Sequence, residues 1–116
     1  MKGTNLGELE ELILLTVGIL YKKAYGVAVM DEIENQTGRS LNISAVHAVL
    51  QRLEDKGLVK SGMSEPTRAR GGRRKRIFVL TAAGRKSLEE VNELRNQLFN
   101  QIPKIAMQFG GLNFQA

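Results

Sequence analysis

A cationic loop between two strand-like segments is the feature that most limits how this chain can fold. Residues 68–76, with the sequence RARGGRRKR, contain six cationic side chains and two adjacent glycines. The flanking residues 58–64 and 75–80 are short segments typical of strands, and the second is rich in β-branched and aromatic side chains. Because Pro66 and the glycines favour a turn, the sequence predicts a β-hairpin whose tip carries the cations.

The excess positive charge of the chain is concentrated in this hairpin. Residues 58–81 contain seven Lys or Arg and one acidic residue, whereas residues 1–57 contain six against eight and residues 82–116 four against three. The formal net charge of +5 therefore comes almost entirely from one short segment. Such focused charge is typical of a surface that binds phosphate.

The composition excludes several classes of protein. At 116 residues and 42% hydrophobic, the chain can form one domain with an appendage. With no cysteine and one histidine, we expect no disulfide, no metal site and no cofactor. The apolar run from Leu12 to Tyr21 is too short to cross a membrane, and its acidic flank does not suit a signal peptide. No nucleophile stands near a positioned base. We therefore expect a soluble, cytoplasmic protein that is not an enzyme.

Two apolar segments with helical spacing predict the first two helices. The first should run from Leu6 to Tyr21, with Asn5 as its N-cap. The second should begin near Gly26 as its N-cap and end at Gly38, which can adopt the left-handed conformation of a helix stop.

A brief strand and a third helix are predicted next. Leu41 and Ile43 alternate with Asn42, which is typical of a short strand. The third helix should run from Ser44 to Lys56, with Ser44 or Asn42 as its cap and residue 57, a glycine, as its stop.

The third helix presents a small and polar face opposite its apolar one. Val46, Leu50 and Leu53 share the inner face. Small side chains at the outer N-terminal end would let the helix approach the base edges of DNA closely. The candidate contact residues are Ser44, Ala45, His47, Ala48, Gln51 and Arg52.

A fourth helix should begin after its cap, Thr81, and end near Pro103. It follows the hairpin, so little of the domain remains for its apolar edge to cover, and we expect it to form a dimer with the first helix of a second copy. The alternative is packing on the first helix of its own subunit. The predicted dimer residues are Leu9, Leu12, Leu88, Val91, Leu94, Leu98, Phe99 and Ile102. The tail to residue 116 suits either a short docked segment or a frayed end.

The order of these elements predicts a mainly α fold with a small β wing. Residues 1–80 should form a winged helix-turn-helix domain, residues 81–103 a C-terminal dimerisation helix and residues 104–116 a tail. In this fold the cations of the wing would contact phosphates, while the third helix would lie in the major groove. The predicted wing contacts are Arg68, Arg70, Arg73, Arg74, Lys75 and Arg76.

Four segments together resemble the PadR family of bacterial transcriptional regulators, in its short form with one C-terminal helix. They are LGELEELILL, AYGVAVMDEIE, ISAVHAVLQRLEDKGLVK and EPTRARGGRRKRIFVLTAAGR, within residues 6 to 100. The resemblance implies a homodimeric repressor that binds an inverted repeat in double-stranded DNA and responds to a small-molecule effector or to stress. His47 replaces the tyrosine usual in this family. Aromatic-drug binding is not carried over, because this chain lacks the interface tryptophan of the drug-binding members.

Two other functions fit the same residues. A winged-helix domain can dock an acidic protein, and a basic surface can bind RNA.

Overall fold

The fold consists of helices around a two-stranded antiparallel sheet. The structure is a computed structural model that describes residues 6–65 and 74–109. Within these ranges the elements are α1 (Glu8–Ile19), α2 (Gly26–Thr37), α3 (Ile43–Asp55), β1 (Val59–Met63), β2 (Arg76–Leu80), α4 (Ala82–Phe99) and α5 (Lys104–Phe109). The predicted fold class, mainly α with a small β wing, is confirmed.

The core lies where α1, α2 and α3 meet above the sheet. Ile13 and Leu14 of α1, Ile33 of α2, and Leu50 and Leu53 of α3 are at most 1% exposed. Burial of such a side chain contributes roughly 1.5–3 kcal/mol to folding. Burial of the inner face of α3 therefore fixes the orientation of its outer face relative to α1 and α2.

Besides its two strands, the sheet includes one isolated bridge to an extended residue, and the sequence interpretation placed this extended segment wrongly. β1 and β2 pair antiparallel from Val59 opposite Leu80 to Met63 opposite Arg76. An isolated bridge joins Phe78 of β2 to Ala24, and the Phe78 N–H donates to the Ala24 carbonyl at 2.8 Å. The strand predicted at Leu41–Ile43 does not form. The extended residue that pairs with the sheet is Ala24, which lies before α2. Its partner, Phe78 of β2, is distant in the sequence, so no local pattern indicates the pairing.

The first two helix starts also differ from the prediction. α1 begins at Glu8 with Gly7 as N-cap, and Glu10 Oε1 accepts the Gly7 N–H at 2.9 Å. The predicted cap, Asn5, lies outside the described residues. α2 is capped by Tyr25, so Gly26 is its first helical residue.

The stop signals of α2 and α3 and the caps of α3 and α4 are confirmed. Gly38 and Gly57 have φ of 75° and 77°, the left-handed conformation that stops a helix without strain in glycine. The Asn42 side chain accepts the Ser44 N–H at 2.7 Å, and the Thr81 hydroxyl accepts the Gly84 N–H at 3.0 Å. α3 and α4 therefore begin at side-chain caps.

Within the described residues, α4 is anchored to the rest of the chain as far as Arg95. Gly84, Ser87 and Val91 are buried, and Arg95 pairs with Glu11 of α1 at 2.9 Å. The helix ends at Phe99, before the predicted end near residue 103, and α5 follows. The last turn of α4, residues 96–99, therefore lies beyond these contacts and is exposed.

Within the two described ranges, no helix combines the length and the apolar character needed to cross a membrane.

Candidate nucleic-acid interface

The outward surface of α3 carries most of the predicted contact residues. Ser44, His47, Ala48 and Gln51 are exposed, and we call these four the recognition face. Ala45 is half-buried at its edge. Small side chains at the N-terminal end and an amide at the centre leave room for base edges and offer hydrogen bonds to them.

The Gln51 amide is already oriented within the helix. Its Nε2 donates to Asp55 Oδ1 at 3.0 Å, one helical turn away. An amide that binds an adenine edge uses both its oxygen and its nitrogen. Base contact by Gln51 would therefore require the Asp55 hydrogen bond to be shared or exchanged.

Arg52 lies at the edge of the recognition face and belongs to a charge cluster with α1. Its Nε is 3.6 Å from Glu10 Oε2, and its side chain is 60% exposed. Lys56 Nζ donates to both Glu10 oxygens at 3.0 Å. Burial raises the pKa of Glu10, but the Gly7 N–H, Lys56 and Arg52 outweigh this and lower it below its usual value. The ionised carboxylate therefore fixes α3 against α1.

His47 packs on the start of α2, a contact that the sequence interpretation did not identify. A Cβ built on Gly26 would lie 2.5 Å from His47 Cε1 and 2.9 Å from Nε2. Position 26 must therefore remain without a side chain while the imidazole occupies this place. No sequence pattern signals this contact, because the two residues are far apart along the chain.

The wing consists of β1, β2 and the loop between them. Lys75 Nζ lies 3.6 Å from the centre of the Tyr25 ring, a cation–π contact, while Arg74 is exposed. Arg76 Nη1 donates to Ser61 Oγ at 2.9 Å. The other predicted wing contacts lie outside the described residues: Arg68, Arg70 and Arg73. At the base of the wing loop, where β1 ends and β2 begins, one lysine is therefore held by an aromatic ring and one arginine by the opposite strand; we call this place the base of the wing.

The predicted dimer residues fall into two groups. Within the single chain, Val91 is 7% exposed, while Leu9, Leu12, Leu88 and Leu94 are half-buried. The rest of α4 and the segment after it expose large apolar side chains: Leu98 at 55%, Phe99 at 57% and Ile102 at 42%. The first group has contacts in its own subunit, whereas the second leaves an apolar surface uncovered.

No group of three or more His, Asp or Glu side chains in residues 6–65 and 74–109 is placed to hold a metal ion.

The three helices, the two-stranded wing and the exposed recognition face define a winged helix-turn-helix protein.

Comparison with known proteins supports this class and narrows it. The model of the Transcriptional regulator PadR-like family matches residues 13–90. An uncharacterized protein of Lysinibacillus sphaericus is 34% identical over 87 residues, which cover 73% of this chain and 75% of that protein. The chain belongs to the PadR-like family of transcriptional regulators.

Solved structures of this family share the fold. A PadR-like transcription factor from Bacteroides fragilis superposes with a TM-score of 0.67 at 23% identity, over 84% of this chain and 89% of that one. A PadR family regulator from Clostridium difficile R20291 gives 0.60 at 29% identity, over 90% and 100%. Bacillus subtilis PadR in complex with operator DNA gives 0.58 at 21% identity, over 72% and 45%.

Proposed function

We propose that this protein is a sequence-specific transcriptional regulator that binds double-stranded DNA as a homodimer and represses through an inverted-repeat operator. Residues 1–80 would bind DNA, residues 81–103 would join the two subunits and residues 104–116 would form a tail. Such a regulator acts in the cytoplasm, on the chromosome. A small-molecule effector would act by changing the population of the DNA-binding dimer.

The observation that carries this proposal is the position of the recognition face beside the base of the cationic wing. The contact of His47 with Gly26, and that of Lys75 with Tyr25, bring both surfaces to the start of α2. α3 can then enter the major groove while the wing reaches the flanking backbone or minor groove. Bacillus subtilis PadR, which shares the fold, has been solved in complex with operator DNA, and this supports DNA binding by the present chain.

The uncovered apolar residues of α4 support the dimer. Leu98 and Phe99 are more than half exposed, and α1 exposes Leu15 and Ile19 at 44% and 57%. Burying these surfaces between two copies by a two-fold axis would present two recognition helices about 34 Å apart. Such a dimer reads two half-sites of opposite orientation.

The first test is a fluorescence-anisotropy titration of the full chain on a labelled duplex selected from a random library, repeated at several salt concentrations. Binding should weaken linearly on a logarithmic salt scale. The variant Arg73→Ala/Arg74→Ala/Arg76→Ala should bind all duplexes more weakly, and its slope should fall by about 1 for each lost phosphate contact. A wild-type slope in this variant would contradict phosphate binding by the wing.

The second test separates sequence choice from affinity. Gln51→Ala should change the sequence recovered by binding-site selection, since a bidentate base contact is worth roughly 1–3 kcal/mol of discrimination. Its salt slope should stay that of the wild type. An unchanged consensus at unchanged specificity would show that α3 is not the reader.

Competition assays distinguish the other functions. Structured RNA that displaces the selected duplex at equal concentration would favour RNA binding. Retention of an acidic protein without duplex binding would favour a protein-interaction module. Repression itself is tested by a reporter under a promoter that contains the selected sequence: a rise in expression on addition of the regulator would reverse the assigned sign.

A further inference from the structure

A cavity of about 520 Å³ lies between the wing and the segment that joins α1 to α2. Its lining includes Lys22, Lys23 and Tyr25 from that segment and Ser64, Glu65 and Ile77 from the wing. Its size falls within the range of ligand-binding clefts. Lys22 and Lys23 add positive charge to a surface whose other cations lie mainly in the wing loop.

The lysines are held by a tight turn. Lys22 has a φ of 66°, which is uncommon for a residue with a side chain, and the Lys23 N–H donates to the Leu20 carbonyl at 2.8 Å. Lys22 Nζ lies 5.1 Å from the centre of the Tyr21 ring. This turn fixes the direction in which the side chains of Lys22 and Lys23 leave the backbone.

A third lysine faces the same tyrosine that lines the cavity. Lys75 Nζ lies over the Tyr25 ring at 3.6 Å. We call Lys22, Lys23 and Lys75 the lysine cluster. Among the residues that the structure describes, none of the three forms an ion pair with a carboxylate, although Glu65 also lines the cavity. The cluster therefore offers three cations against one nearby carboxylate.

Tyr25, which shares the cavity with Lys22 and Lys23, lies between the two surfaces that the proposed function assigns to DNA. Tyr25 precedes Gly26, on which His47 of the recognition face packs, and the same tyrosine contacts Lys75 at the base of the wing. In B-DNA one sugar–phosphate strand separates the major groove from the neighbouring minor groove. With α3 in one groove and the wing at the next, that strand crosses the surface between them.

We propose that the lysine cluster binds the phosphodiester backbone between the two grooves, as a phosphate site separate from the cations at residues 68–76 other than Lys75. This inference rests on the proposed function. Phosphate contacts fix the register of a protein on the duplex without reading sequence. The cluster would therefore set the distance between the recognition helix and the wing along the DNA.

The test uses the full chain and compares two variants that each lose two positive charges. Lys22→Gln/Lys23→Gln removes charge from the cavity and keeps long side chains. The control, Arg85→Gln/Lys86→Gln, changes two exposed residues in the first turn of α4, near Leu58, beyond the C-terminal end of α3. Screening over about 10 Å at 0.1 M salt limits any effect of net charge alone.

Salt titrations on the library-selected duplex and on a scrambled duplex give the first result. The lysine variant should lose about 1.8 units of salt slope, since each phosphate contact contributes about 0.9. Its affinity for both duplexes should fall by the same factor, so that specificity is retained. The control should keep the wild-type slope. Equal slopes in the lysine variant and the wild type would overturn the inference.

Replacing single phosphates of the selected duplex by neutral methylphosphonates gives a second result. The wild type should lose affinity at one or two positions between the recognition and wing contacts, and the lysine variant, which retains Lys75, should lose less affinity there. The same loss in both proteins at every position would refute the site. If the wild type binds no duplex at all, the proposed function fails and this inference fails with it. Normal duplex binding with an unchanged slope removes only the lysine site.

Discussion

Gly84 lies in the first turn of α4, where this helix touches the backbone that follows α3. A Cβ built on Gly84 would lie 2.0 Å from the Leu58 carbonyl oxygen and 3.0 Å from its carbonyl carbon. Ordinary contacts of a Cβ begin near 3.4 Å, so Gly84→Ala must move α4 away from Leu58 by more than an ångström. No side-chain rotation can relieve a contact with a backbone atom.

The displacement would break hydrogen bonds that anchor the start of α4. The Thr81 N–H donates to the Leu58 carbonyl at 3.1 Å, and the Thr81 hydroxyl donates to the Gly57 carbonyl at 2.7 Å. Each contributes about 1 kcal/mol to the free energy of unfolding. Alanine regains at most about 1 kcal/mol through its higher helix propensity. With the cost of overpacking, typically about 1–3 kcal/mol, we expect Gly84→Ala to lower the free energy of unfolding by about 2–4 kcal/mol.

Urea unfolding followed by circular dichroism measures this change, at equal protomer concentrations because dimerisation shifts apparent stability. In thermal unfolding, the melting temperature of Gly84→Ala should be lower than that of the wild type by at least about 4 °C. Ala83→Gly, at the exposed neighbouring position, calibrates helix propensity alone. On propensity alone, Gly84→Ala would stabilise the protein by as much as Ala83→Gly destabilises it. That result would refute the steric argument.

Three further variants test the interface, the charge cluster and the packing of α2. Leu98→Asp/Phe99→Asp changes side chains that are more than half exposed in one chain, and light scattering should show a folded monomer; a dimer at micromolar concentration would place the partner surface elsewhere. Glu10→Gln should lower the free energy of unfolding at pH 7 by about 1–2 kcal/mol. Because the folded pKa of Glu10 lies below the usual 4.5, its stabilisation is present above that pH and is lost as the pH falls through the folded pKa; a difference from wild type that persists unchanged to pH 2 would contradict this. Gly26→Ala should displace the His47 ring and weaken duplex binding in anisotropy assays, and unchanged binding would show that this contact does not position α3.

Local signals in the sequence were sufficient for the elements that depend on near neighbours. The inner face of α3 follows from the spacing of Val46, Leu50 and Leu53, since residues three and four apart share one side of a helix. The stop at Gly57 and the cap at Thr81 need only the conformational freedom of glycine and a hydroxyl near the next turn.

The recognition face and the base of the wing were predicted separately, but their junction was not. Tyr25 and Lys75 are 50 positions apart, so no periodic pattern connects them. Gly26 and His47 are also far apart in the sequence, and their contact forms only when α2 packs on α3. The two lysines of the α1–α2 turn carried no signal, because single cations occur on most protein surfaces.

The order of α1 to α4, the hairpin and the concentration of charge in it can be predicted from the sequence, because these depend on spacing, turn residues and composition. Tertiary packing brought Ala24 to the two-stranded sheet, where it forms an isolated bridge with Phe78. It also divided the apolar edge of α4 into Val91, which its own subunit covers, and Leu98, which remains exposed. A periodic pattern marks a surface as apolar, but only the packed chain shows which part of that surface is still available to a partner.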